Sequence, residues 1–112
     1  MRYIHTGVKA YRSGITVPDV SDPAEKVDCL WAKECYFYVH VDSGTVDFIE
    51  VEALFWDSLA GVFAKGARRA APLLPGAFVV DVKGHDAVAL KVIALNGTNP
   101  DIKINYDLVQ EA

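Results

Sequence analysis

At 112 residues, with 52% hydrophobic and 23% charged side chains, the chain has the composition of one globular domain rather than a disordered segment, and a core of this size buries roughly 65% of the unfolded surface. Fifteen Asp and Glu against eleven Lys and Arg give a net charge of −4, which argues against a free-standing basic nucleic-acid binder, because neutralising phosphates needs a cationic face. Two cysteines, Cys29 and Cys35, are too few for a disulfide scaffold, and no apolar run approaches the ~20 residues that span a bilayer. The first seven residues lack the long apolar core of a secretion signal. These features lead us to expect a single domain over 1–112, soluble and monomeric, in an intracellular, reducing compartment (the nucleus included for a eukaryotic source). The abrupt start reads as a domain excised from a larger chain, and a small natural protein would look the same.

In chain order, Ile4 to Arg12 alternates like a half-buried strand. Ser13 to Lys26, with two prolines and a glycine, reads as a mobile surface loop. Val27 to Lys33 and Cys35 to Val41 are strand candidates, since aromatic and β-branched residues at this density suit a pleated surface. Asp42-Ser43-Gly44 then reads as a tight turn, making Tyr36 to Val51 an antiparallel hairpin. From Glu52 to Lys65 the period changes: Phe55, Leu59 and Phe63 recur four apart, with Trp56, Ala60 and Val62 beside them, which predicts an amphipathic helix ended by Gly66. Pro72 and Pro75-Gly76 break that pattern. Ala77 to Val82 and Ala87 to Leu95 are strands, the second apolar on both faces and therefore central in its sheet. Asn96-Gly97 is a hairpin signal leading into Ile102 to Tyr106. The fold class expected is mixed and mainly β: a small pseudo-barrel of six or seven strands, plugged by the Phe55–Leu59–Phe63 stripe of one helix.

Little of the chemistry-bearing content forms a motif. Cys29 and Cys35 lie in apolar surroundings, where a thiol is an inert core residue unless a base such as His40 stands beside it. His5, His40 and His85 are scattered without metal-ligand spacing, and His85 in Gly-His-Asp reads as a solvated turn residue. Glu34, Asp42, Asp47, Glu50, Glu52 and Asp57 form a cation-free stretch, read as a solvated acidic face able to meet a partner. No Gly-rich phosphate cradle is present. The basic region is Lys65, Arg68, Arg69, Lys83 and Lys91, facing two acids, Asp81 and Asp86. Cations there suit a helix C-terminus, or they grip a sugar–phosphate backbone.

Three segments together resemble the C-terminal PUA-like domain of Sun-type tRNA (cytosine-5) methyltransferases: Thr6-Gly7-Val8-Lys9-Ala10-Tyr11, the stretch Val46 to Leu59, and Leu74-Pro75-Gly76-Ala77-Phe78-Val79-Val80 with Val88 to Gly97. That resemblance implies a non-catalytic accessory role, positioning tRNA or another structured RNA for the catalytic methyltransferase domain. It also implies no cofactor in this chain, S-adenosylmethionine binding the catalytic domain instead. Neither Cys29 nor Cys35 sits in the family's Thr-Cys or Pro-Pro-Cys motifs, so no catalytic residue carries over. The alternatives are a protein-interaction or structural module, using the acidic stretch and exposed tyrosines such as Tyr36 or Tyr38, and a small virion or scaffold protein.

Overall fold

The computed structural model describes residues 3–71 and 74–111. Its nine strands are β1 (Tyr3–His5), β2 (Lys9–Ile15), β3 (Val27–Asp28), β4 (Glu34–Ser43), β5 (Phe48–Asp57), β6 (Val62–Ala71), β7 (Gly76–Asp81), β8 (Ala87–Asn96) and β9 (Asp101–Glu111). They form two antiparallel sheets. In the first, β1 and β2 lie in line along one side of β9, followed by β4 and β7; in the second the order is β3-β8-β5-β6. Alternate residues of both sheets face inward: Phe37 and Val39 from β4, Val51 from β5, Val88 and Val92 from β8, and Ile102 and Ile104 from β9 join one buried cluster. The mainly β expectation holds. The helix does not: among the described residues there is none.

The segment read as a helix is the β5–β6 hairpin. Phe55 lies in β5 and Phe63 in β6, where Phe63 pairs with Trp56 across the strands, and Leu59 at the tip is 97% exposed. The plugging stripe is therefore absent. The helix signals belong to a single turn: the Asp57 carboxylate accepts the N–H groups of Leu59 and Ala60, the Gly61 N–H closes onto the Asp57 carbonyl, and Gly61 is left-handed at φ 71°. An Asp start and a Gly stop frame one turn as readily as a helix. Pro72 lies outside the described residues.

Two expected hairpins are also replaced. β4 and β5 lie in different sheets, as do β8 and β9. The two chain segments cross between sheets side by side, still paired: the register runs from Glu34↔Val109 to Ser43↔Asp101 in the first sheet and from Phe48↔Asn96 to Phe55↔Val88 in the second. At the corner the Thr45 N–H donates to the Thr98 carbonyl, the Thr98 N–H to the Thr45 hydroxyl and the Asp47 N–H to the Asn96 carbonyl. The glycines serve this crossing. A Cβ on Gly44 would overlap the Asn99 carbonyl, and one on Gly97 the Thr45 carbonyl.

The β2–β3 loop, expected to be mobile, is tied down along the flank where β8 would otherwise be a bare edge. Beyond its two residues of pairing with β3, β8 is met by side chains: the Leu90 N–H donates to the Tyr11 hydroxyl and the Val92 N–H to the Asp19 carboxylate, while the Asp19 N–H donates to the Val92 carbonyl. Arg12 grips the same Asp19 with two guanidinium nitrogens at 2.6 and 2.8 Å. The Tyr11 hydroxyl donates to the Glu25 carbonyl, and burial pushes its pKa up to about 12. Farther along, Lys91 pairs with Asp22 and Lys26 lies 4.0 Å over the Trp56 ring.

Two measurements test this construction. In urea unfolding, Gly44→Ala should cost about 3 kcal/mol or more, since a backbone must move; Gly14→Ala, with a similar φ but open space around its Cβ, should cost about 1–2 kcal/mol. Burial works against the Asp19 carboxylate, yet the Arg12 and Val92 hydrogen bonds and the charges of Arg12 and Lys91 outweigh it and hold the pKa below the ordinary 3.8. A carboxyl depressed on folding contributes its stability in full above that ordinary value and loses it as the pH falls through the folded value. Asp19→Asn should therefore destabilise the protein at neutral pH by about 1–3 kcal/mol. It should also flatten the acid limb of a plot of urea midpoint against pH below about 4.

Candidate functional site

Strand β4 reads Cys35-Tyr36-Phe37-Tyr38-Val39-His40, with rings on both of its faces. Period-two alternation sends Cys35, Phe37 and Val39 into the core, each with no exposure, and leaves Tyr36, Tyr38 and His40 half-buried on the outer face of the first sheet. Across the strands, Tyr36 stands opposite Asp107 and Val79, Tyr38 opposite Asn105 and Ala77, and His40 opposite Lys103. The rings run as a row: His5 to Tyr36 with centroids 5.8 Å apart at 74°, then Tyr36 to Tyr38 at 6.3 Å and 42°. At its far end the His40 Nε2 lies 3.2 Å from the Asn105 amide nitrogen.

The row is anchored by Asp107, which is buried at 4% exposure. One of its oxygens lies 2.7 Å from His5 Nδ1 and the other accepts the Gly7 N–H at 3.1 Å. This contact also explains why the strand expected from Ile4 to Arg12 is split: Gly7 takes φ 101° between β1 and β2 and turns its N–H to the carboxylate. Partial burial raises the Tyr38 phenol above its ordinary value, and the Asp107 charge and Tyr36 add to this. Alternation around Tyr36 and Tyr38 is the sequence signal for this face. The His5–Asp107 contact spans 102 positions and had none.

Of the five cations, three share the outer face of the second sheet and two lie elsewhere. Arg68 and Lys91 stand on either side of Glu52 in the second sheet; Arg68 binds the buried Glu52 carboxylate at 3.0 Å, and Lys91 binds Asp22 at 3.1 Å. Lys65 is opposite Leu54 on the same face. Arg69, opposite inward-facing Val51, borders a slot between the sheets. Lys83 lies in the β7–β8 connection beside Trp31. The acidic stretch is likewise divided: Glu34 and Asp42 belong to the first sheet, Glu50, Glu52 and Asp57 to the second, and Glu52 is buried rather than solvated.

Both thiols are fully buried. Burial raises the Cys29 pKa to about 11 and that of Cys35 further still. His40 lies on the face opposite Cys35, so the two do not meet. His85 is no solvated turn residue, because it stacks on Phe55 with centroids 3.9 Å apart. Among the described residues no group of His, Cys, Asp and Glu could hold a metal, and no helix is long and apolar enough to cross a membrane. A broad cleft of about 1020 Å³ between β2 and the loop that follows it is lined by Arg12 and Asp19, which already bind each other.

No protein-family model matches the chain, and no curated sequence matches it. Among solved structures it is similar to the SPBc2 prophage-derived protein YomS, at 15% identity and a TM-score of 0.66, covering 98% of this chain and 96% of that one. It is similar to the PBSX exported protein XepA at 13% identity and a TM-score of 0.66, covering 98% of this chain but 39% of XepA. A family 29 carbohydrate-binding module, CBM29-2, aligns at a TM-score of 0.47 and 13% identity, over 97% of this chain and 81% of the module. The neighbours YomS and XepA, together with a sandwich that has no helix among the described residues, overturn the resemblance to a Sun-type methyltransferase PUA-like domain. The short matching segments are β-strand and turn patterns that many β folds share.

The outer face of the first sheet should matter less for folding than the buried inner face. Tyr36→Ala and Tyr38→Ala should each cost under about 1 kcal/mol in thermal or urea unfolding, whereas Phe37→Ala, between them in sequence, should cost about 3–5 kcal/mol.

Proposed function

We propose that the chain is a non-catalytic protein-interaction module that docks on a partner protein through the outer face of its first sheet. The observation that carries this reading is the row His5, Tyr36, Tyr38 and His40, standing on the outer face of a sheet beside a buried carboxylate. Tyrosines in such a place present an apolar body and a polar tip, and side chains of this kind anchor protein interfaces. The fold neighbours support a building-block role. One prophage-derived protein is nearly all this fold, while in XepA the fold occupies about two-fifths of a longer chain. A module of a phage-derived assembly fits both.

The cations favour RNA less, because Arg68 and Lys91 already hold carboxylates and a gripping face needs several unpaired charges along a backbone. Tyr36→Ala combined with Tyr38→Ala should weaken association with the partner at least a hundredfold, as removal of two anchor residues does. A photo-crosslinking side chain at position 38 should capture a discrete protein that the same group at position 65 does not. Saturable tRNA binding abolished by Lys65→Ala, Arg68→Ala and Arg69→Ala together, with position 38 capturing nothing, would overturn the proposal.

A further inference from the structure

The two flanks of the sandwich are not alike. On one, the β2–β3 loop closes the gap between the sheets through Tyr11, Arg12 and Asp19. On the other, β6 and β7 are each the last strand of their sheet, and between them a slot of about 220 Å³ opens into the interior. Its walls are Val51, Ala53, Phe55 and Leu90 from the second sheet and Phe78 and Val80 from the first. Ala67 and Arg69 of β6 stand at the mouth, with Asp81 across from them.

Arg69 is the one described arginine without a carboxylate: Arg12 is bound to Asp19 and Arg68 to Glu52, whereas Arg69, like Lys65 and Lys83, makes no ion pair among the described residues. Its register opposite Val51 puts it on the inward side of its strand, toward the slot. Asp81 does not neutralise it: alternation after inward Val80 turns its carboxylate to the outer side of β7, where it accepts the Lys83 N–H at 3.0 Å. An apolar slot with one unpaired guanidinium at its mouth complements an anion with an apolar tail.

We infer that this slot binds an aliphatic monocarboxylate, its carboxylate held by Arg69 and its chain lying between the sheets. The size sets the tail: an apolar cavity of about 150 Å³ takes one benzene ring, so a slot of this volume takes roughly six to eight carbons. The site is independent of the tyrosine face, which lies on the outer side of the first sheet.

Titration of the full chain with octanoate, hexanoate and octanol, followed by calorimetry and by backbone amide shifts, tests the assignment. Octanoate should bind saturably and about fifteenfold more tightly than hexanoate, since it has two more methylenes and each buried methylene contributes about a fourfold gain. Octanol should bind more weakly than octanoate. The shifts should centre on Ala67, Phe78 and Val80. Arg69→Gln should weaken octanoate about tenfold and leave octanol unchanged; Arg68→Gln should leave both unchanged, and Ala67→Phe, at the exposed mouth, should block both. No saturable octanoate binding, equal affinity for octanoate and octanol, or equal losses from Arg68→Gln and Arg69→Gln would each overturn the inference.

Discussion

Two strands that leave one sheet for the other must bend somewhere, and here they bend together. The segments meeting at Gly44 and Gly97 remain hydrogen-bonded to each other through the corner, so 34–55 and 88–109 behave as one ribbon folded over on itself. The inward residues on both sides of the fold, Phe37 and Val39 before it and Ile49 and Val51 after it, belong to one face of that ribbon. Folding that face against itself makes the core. Neither glycine can be given a side chain without pushing a carbonyl aside, which makes the crossing the narrowest tolerance in the molecule. The β5–β6 hairpin, the loop on its flank and the outward tyrosines all take their positions from it.

Strand content was readable in the chain because alternation is a local property. β4, β7 and β8 lie close to their expected limits, since each has β-branched or aromatic residues at period two. What alternation does not carry is the identity of a strand's partner. Asp42-Ser43-Gly44 and Asn96-Gly97 do mark sharp changes of direction, but a turn that returns a strand to its neighbour and a turn that sends it to the opposite sheet use the same small residues. The helix expectation had a similar cause. It rested on Phe55, Leu59 and Phe63 recurring four apart, a spacing that a tight turn between two paired strands produces as readily as a helix face does. Of the site, the tyrosines were legible as a pair. The dependence of His5 and Gly7 on Asp107 was not, since it joins opposite ends of the chain.

The charged residues show how differently one residue type is used across a small sandwich. Asp19 ties a loop to the edge of a strand, Asp57 holds a turn, Asp107 orders the outer face, and Glu52 sits buried under Arg68. Of these only Glu52 and Asp57 belong to the acidic stretch read from the sequence, and that grouping describes neither role. The cations follow the same logic: Arg12, Arg68, Lys91 and Lys103 each serve a particular carboxylate, and Arg69 is the described arginine that has none.

The sulfur atoms carry a last implication. Cys29 and Cys35 lie wholly inside the sandwich, and with burial holding both protonated, neither offers a thiolate to a reagent while the sheets stay closed. Modification by an alkylating agent then requires the interior to be laid open, and its rate counts openings rather than surface encounters. The molecule thus contains two built-in clocks, one at β3's end and one within β4, whose difference in ticking would separate loosening of the flank from separation of the whole ribbon.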